Sequence, residues 1–172
     1  MASRRLVIDA SVARSAGGDE ATNLQSQCCR NFLQSILDIC HRMVMTPQII
    51  SEWNRHQSNF ARMWRVSMMA RRKVDFLNDI QNSELSEKIK LVAVKENDVE
   101  AMLKDFHLIE AALASERTII SLDEIVKKLF AAASGSIGEL KNVVWVNPAK
   151  EDEHPIIWLQ DGAKAEKDRQ LG

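Results

Sequence analysis

Four carboxylates in this chain stand where acid chemistry could be gathered: Asp9, Glu52, Asp105 and Asp123. Asp9 ends the run Arg4-Arg5-Leu6-Val7-Ile8, and Asp123 follows Thr118-Ile119-Ile120-Ser121-Leu122. Short apolar, β-branched runs that stop at an acid read as buried strands ending in a carboxylate. In open α/β sheets, ligands bind just beyond those carboxyl ends. Glu52 and Asp105 fall on helical stretches, near the ends that approach the strands. One aspartate after a strand is ordinarily a turn former or a helix cap, and Asp123 before Glu124-Ile125 would cap a helix well. Four acids in one α/β pattern suggest more. Carboxylates within about 4–6 Å raise one another's pKa. At an effective dielectric of about 20, a pair about 4 Å apart costs on the order of 4 kcal/mol. Such a cluster calls for a cation, and hard oxygen ligands select magnesium or manganese over zinc.

The elements that must position these acids follow from the apolar spacing. The first strand ends at Asp9 and is followed by a turn-rich loop, Ala16-Gly17-Gly18-Asp19. Leu24, Cys28, Phe32, Ile36 and Cys40 recur every four residues and predict a helix over residues 21–40. Arg42-Met43-Val44-Met45 reads as a second strand. Thr46-Pro47 then starts a helix, with a hydroxyl at the N-cap and proline at the first helical position, and this helix carries Glu52. A long helical region is predicted over about residues 59–80, its stripe including Phe60, Met63, Trp64, Met68, Phe76 and Leu77. The apolar run within residues 87–94 suggests a strand. Asn97 or Asp98 caps a helix reaching about Ser115, which carries Asp105. Then come the strand before Asp123, a helix over about residues 124–133 closed by Ser134-Gly135-Ser136, and a strand over residues 142–147 stopped by Pro148.

Strands alternating with helices predict an α/β fold, a mainly parallel central sheet flanked by helices on both faces. Residues 1–148 form one domain, with extra helix over about residues 58–86. The extension over residues 149–172 is charged, except for Pro155-Ile156-Ile157-Trp158-Leu159, which docks a short helix. Its last ten residues read as solvated and frayed.

Composition narrows the function classes. The chain has 172 residues, 45% hydrophobic and 27% charged, with a net charge of −1 from 23 basic and 24 acidic side chains. A chain so balanced has no global field to attract nucleic acid, so any basic surface is local. No run approaches the roughly 18 apolar residues of a membrane span, and no signal core precedes Asp9, so the expectation is a cytoplasmic protein without membrane contact. Cys28, Cys29 and Cys40 are odd in number and lack Cys-x-x-Cys spacing, which argues against a disulfide framework or a zinc site and for buried or half-buried thiols.

Charge is concentrated in one place. Between Trp53 and Val74 stand Arg55, Arg62, Arg65, Arg71, Arg72, Lys73 and His56, with no acid. For any one arginine a solvated helix face is the plainer reading. As a group directly after Glu52, Arg55, Arg62 and Arg65 suit a phosphate backbone, and Trp53 suits base stacking. Trp64 is read as core or as a dimer interface, and the face of Met63, Met68 and Met69 as core or as a seat for a second subunit or partner segment. His107, two residues after Asp105, lies about 200° round the same helix and should point elsewhere.

The ordered set Val7-Ile8-Asp9-Ala10-Ser11, Thr46-Pro47 leading to Glu52, Asp105-Phe106-His107-Leu108-Ile109-Glu110-Ala111-Ala112, and Thr118-Ile119-Ile120-Ser121-Leu122-Asp123 resembles the PIN-domain ribonucleases. It is most similar to the toxin members of toxin–antitoxin pairs. The resemblance spans about residues 4–148. It implies a PIN-like three-layer fold and a metal-dependent endoribonuclease using Mg²⁺ or Mn²⁺. The acidic quartet would fall on Asp9, Glu52, Asp105 and Asp123, with Asp9, Asp105 and Asp123 as the more direct ligands and Glu52 acting through water or as a base-like partner. Ser11 and Ser121 would orient waters or carboxylates. The partners implied are RNA and an antitoxin protein, and a homodimer is open. The long segment between Glu52 and Asp105 and the extended tail depart from compact members.

Two other readings stay open. One is a catalytically idle PIN-like module that binds RNA or protein. The other is a phosphotransferase using Asp9 as the phosphate acceptor. The second wants a lysine at the end of a late strand, where the chain offers only Lys150, after Asn147-Pro148-Ala149.

Overall fold

The computed structural model describes residues 3–17, 22–93 and 95–172. Gly18 and Asp19 of the expected loop, the helix start at Ala21 and Val94 of the expected strand lie outside the described residues.

Five short strands form one parallel sheet: β1 (Arg5–Ile8), β2 (Arg42–Met45), β3 (Val74–Phe76), β4 (Thr118–Ile120) and β5 (Val144–Val146), in the order β3-β2-β1-β4-β5. All four pairings between neighbours are parallel. Leu6, Val7, Ile8, Ile119 and Ile120 are wholly buried, as strands covered on both faces require. Between the strands run α1 (Ala10–Ser15), α2 (Leu24–Asp38), α3 (Pro47–His56), α4 (Asn59–Ala70), α5 (Ser83–Val92), α6 (Glu96–Lys104), α7 (Phe106–Leu113) and α8 (Glu124–Ser134). Parallel crossovers are right-handed, so the chain winds one way from β1 to β3 and back over the opposite face to β4 and β5. Helices α1 to α4 accordingly pack on one another, while α6 packs on α5, α7 and α8. This is the expected α/β fold with a central parallel sheet between helical layers. Winding reverses between β1 and β4, the two strands that carry Asp9 and Asp123 beyond their ends.

The local chemistry explains several boundaries. Thr46 caps α3, its hydroxyl accepting from the Ile49 amide at 3.2 Å, with Pro47 at the first helical position. Asn23 and Ser58 cap α2 and α4 in the same way. Asp123 caps α8 through Oδ1, which accepts from the Val126 amide at 2.9 Å.

Four expectations need correction. The helix predicted over residues 59–80 ends at Ala70, and Val74–Phe76 is the edge strand β3. The chain turns at Arg72, in the left-handed region with φ 55°. Arg71 and Lys73 donate to Leu37, and Lys73 also to Ile36 and Ile39, satisfying carbonyls at the end of α2. Three residues are too few to display strand alternation, so the stripe ran on in sequence through Phe76 and Leu77.

The strand predicted in residues 87–94 is helix α5. Asn82 caps it, Leu85 and Ile89 bury one face at the i, i+4 spacing, and Leu91 faces solvent. The helix predicted from Asn97 or Asp98 to Ser115 is two helices, α6 and α7. α6 ends and α7 begins at Asp105, whose backbone lies in the sparsely populated bridge region (φ −101°, ψ 8°).

The tail is docked, not frayed. Helix α9 (Pro155–Gln160) buries Trp158 and Leu159, as expected of the apolar knot. Beyond it Ala163 and Leu171 are also buried, the Leu171 amide donates to the Val143 carbonyl at 2.9 Å, and Gln170 pairs antiparallel with Val144 at the outer edge of β5. His41, wholly buried, ties the tail to the sheet: it accepts from the Arg4 amide at Nδ1, while Nε2–H donates to the Leu159 carbonyl at 2.8 Å. Burial pushes its pKa down.

Candidate active site

Asp9, Glu52, Asp105 and Asp123 line one cleft of about 200 Å³ at the rim beyond β1 and β4. Each arrives by a different route. Asp9 is the residue after β1, with its amide held by the Ile120 carbonyl at 2.9 Å. Glu52 comes from α3, Asp105 from the α6–α7 junction, and Asp123 from the first cap position of α8. The reversal of winding between β1 and β4 opens a crevice where open α/β sheets bind ligands.

Two hydroxyls set the carboxylates. Ser121 donates to Asp9 Oδ2 at 2.9 Å and accepts from the Asp123 amide at 3.1 Å, so one side chain links both acids. Ser11 donates to the same Oδ2 at 2.5 Å and accepts from the Leu122 amide at 3.3 Å. These bonds hold Asp9, itself buried, in one orientation.

The electrostatics centre on Asp105. Its carboxyl is pushed up to about 7, first by burial, then by the charges of Asp9 and Asp123 and, more weakly, Glu52. Lys104 beside it acts in the opposite direction. Neighbouring negative charge on a half-buried acid is the condition in which a bound cation is most favourable. Among the described residues, no three His, Cys, Asp or Glu side chains form a ready-made metal cage. The oxygen-only donor set still fits a hydrated Mg²⁺, which keeps several waters and takes one or two carboxylates.

Of the residues expected to meet RNA, only Arg55 lines this cleft. Trp53 is wholly buried, its indole N–H donating to the Ile8 carbonyl at 2.9 Å and its ring stacked on Trp64 at 5.9 Å. It is a core residue and has no face for a base, and Trp64 is core as well. Arg65 donates to Asn54 Oδ1 at 2.8 Å and lines a separate groove. Arg62 is exposed on α4 and does not line the cleft. The basic segment is thus divided by the fold: Arg55 and His56 face the acids, while Arg71 and Lys73 close the end of α2. Lys150 pairs with Glu124 at 3.2 Å and Glu153 at 3.0 Å.

Sequence reasoning missed two groups at the cleft and one contact behind it. Arg14 reaches it from α1, one turn after Ser11, a spacing that becomes meaningful only once residues 10–15 are seen as helical. Lys104 reaches it next to Asp105. His107, as expected, does not line the cleft with Asp105, but it touches Glu52 from behind. Its Nε2 lies 3.1 Å from Glu52 Oε2, within ion-pair distance but not aligned as a hydrogen bond. The break at Asp105 changes the angular relation that a continuous helix would impose.

No helix among the described residues is long and apolar enough to cross a membrane. Comparison with protein-family models, with curated proteins and with solved structures finds no match to this chain, so the reading of the cleft rests on its own geometry.

Proposed function

We propose that this chain is a PIN-type endoribonuclease, dependent on Mg²⁺ or Mn²⁺, of the kind found as the toxin of a toxin–antitoxin pair and acting in the cytoplasm. The observation that carries the proposal is the cleft itself. Four acids spread from Asp9 to Asp123 share it, and Asp105 is raised to about 7 by burial and by its acidic neighbours. A divalent ion bound there supplies Lewis acidity toward a phosphodiester and its attacking water. Asp9, Asp105 and Asp123 would hold the ion, with Ser11 and Ser121 fixing the carboxylate of Asp9. Glu52, steadied by His107, receives a proton from water on the cleft side. Arg14, Arg55, His56 and Lys104 frame the same cleft and suit the phosphates flanking a scissile bond. An antitoxin of this reading covers the acids.

The absence of a ready-made three-residue cage among the described side chains supports one alternative, an idle module that binds RNA without cutting it. One assay separates the two. Purified protein is incubated with structured and unstructured RNA in Mg²⁺ or Mn²⁺, then with chelator. Cleavage that needs the ion and is lost in Asp9→Asn and Asp123→Asn supports the nuclease. RNA retention without turnover under any divalent ion supports the idle module, and chelator-resistant cleavage rejects both the metal and the assigned acids.

A further inference from the structure

The two edges of the sheet are treated differently. The outer edge of β5 is covered by the chain's own tail, through Gln170 beside Val144 and the Leu171 amide on the Val143 carbonyl. At the other end, among the described residues, β3 pairs with β2 alone. The Met43 amide donates to the Lys73 carbonyl and the Leu77 amide to the Met45 carbonyl, so residues 73, 75 and 77 turn their backbone groups inward. By the alternation of a parallel ladder, the amides and carbonyls of Val74 and Phe76 face outward. An open strand edge is a template for another strand.

Beside this edge lies an apolar groove between α3, α4 and β3. Met45, Ile50, Met69, Val74 and Phe76 line it, with Asn54 and Arg65 as its polar members. Met69 and Phe76 are more than half exposed. The charged side chain that lines the groove is Arg65. Arg62, Arg65 and Met69 share a stripe of α4, and Arg72 stands exposed just before β3. Asp75, on β3 itself, is already held by Arg42, whose Nε donates to both of its oxygens at 3.0 Å.

We infer that β3 and this groove dock an extended, acidic and apolar segment of a partner protein, added to the sheet as a sixth strand. The backbone of Val74 and Phe76 supplies the pairing, the groove takes alternate apolar side chains, and the arginines attract the acids. A second copy of this chain fits less well, because a symmetric pairing would set the same arginines against each other. RNA fits less well because the groove is mainly apolar. The inference is independent of the nuclease reading: Asn54 and Arg65 serve the groove, and Arg55 serves the cleft on the other side of α3.

The test uses the full chain and a fluorescent synthetic peptide alternating glutamate with valine. Binding is expected, with the amides of Val74 and Phe76 slowed in hydrogen exchange. Methylating the peptide's backbone nitrogens on its pairing side should weaken binding by about tenfold or more, since it removes main-chain donors and leaves charge and side chains intact. Arg65→Glu should weaken it as well. Equal binding by the methylated peptide, or exchange protection at another face, overturns the inference. So does protection of Val74 and Phe76 by self-association without peptide, or by unstructured RNA in place of the peptide.

Discussion

The imidazole of His107 stands between two acceptors, with Nε2 3.1 Å from Glu52 Oε2 and Nδ1 3.1 Å from the Lys104 carbonyl oxygen. It joins α3 on one side of the sheet to α7 on the other, at the rim where the acids meet. The ring thereby ties the Glu52 side chain to the end of α6. His107→Ala is expected to free Glu52 and lower kcat for RNA cleavage by about 10–100-fold, with KM little changed. His107→Gln, which keeps a donor, should recover part of the rate. Steady-state kinetics beside a thermal melt make the check. Losses of Tm and rate that run in parallel across both variants would assign His107 to packing alone.

Ser121 links Asp9 to the backbone of Asp123, so its loss should be felt as a loosened acid pair. Ser121→Ala is expected to reduce cleavage about 10–100-fold and to raise the Mg²⁺ concentration needed for half-maximal rate. Ser121→Thr keeps the hydroxyl and should restore the metal dependence. A metal titration of rate for the three proteins decides, and an unchanged midpoint in Ser121→Ala contradicts the role.

Asp105 gives the cleft a pH signature. In the unfolded chain its carboxyl ionises near 3.8, whereas burial and the neighbouring acids hold its proton up to about 7 in the fold. Between those values the folded protein binds more protons than the unfolded chain, so stability falls as pH rises through the window. Asp105→Asn should therefore be more stable than the wild type above pH 7 and equal to it below about pH 4. The gain is about 1–2 kcal/mol, because solvent at this partly exposed group screens the repulsion. Urea midpoints across that range, in chelator, measure the difference. Adding millimolar Mg²⁺ at high pH should stabilise the wild type more than the variant.

Trp53 offers a sharp distinction between core and nucleic-acid contact. Its ring is enclosed and its N–H is spent on the Ile8 carbonyl, immediately before Asp9. Trp53→Ala should cost about 3–5 kcal/mol of stability. Trp53→Phe should cost about 1–2 kcal/mol, chiefly for the orphaned carbonyl, and leave RNA affinity of the folded protein unchanged. Chemical denaturation with parallel RNA-binding measurements tests this, and a tenfold loss of affinity in a fully folded Trp53→Phe would restore the stacking role.

By itself the sequence determined the elements whose signals are local. The β-branched runs before Asp9 and Asp123, the Thr46-Pro47 start of α3 and the middle of the α2 stripe (Cys28, Phe32 and Ile36) depend on neighbours within a turn or two, and all are present, whereas Leu24 is exposed and Cys40 lies exposed beyond the helix end. Alternation of strand and helix was enough for a parallel α/β sheet. Where a signal was short or two-sided the local reading failed: β3 has three residues, α5 carries an apolar run on a helix, and Asp105 breaks a stretch whose periodicity looks continuous. Tertiary structure alone decided which strands are neighbours. Only the pairing of β1 with β4 brings the Ser121 hydroxyl to 2.9 Å from an acid 112 positions earlier. It also decided the rotation of each helix about its axis, turning Trp53 inward, Arg65 toward a second groove and His107 onto Glu52. Those outcomes follow from packing between elements far apart in the chain, where burial of whole faces outweighs the preference of any one side chain.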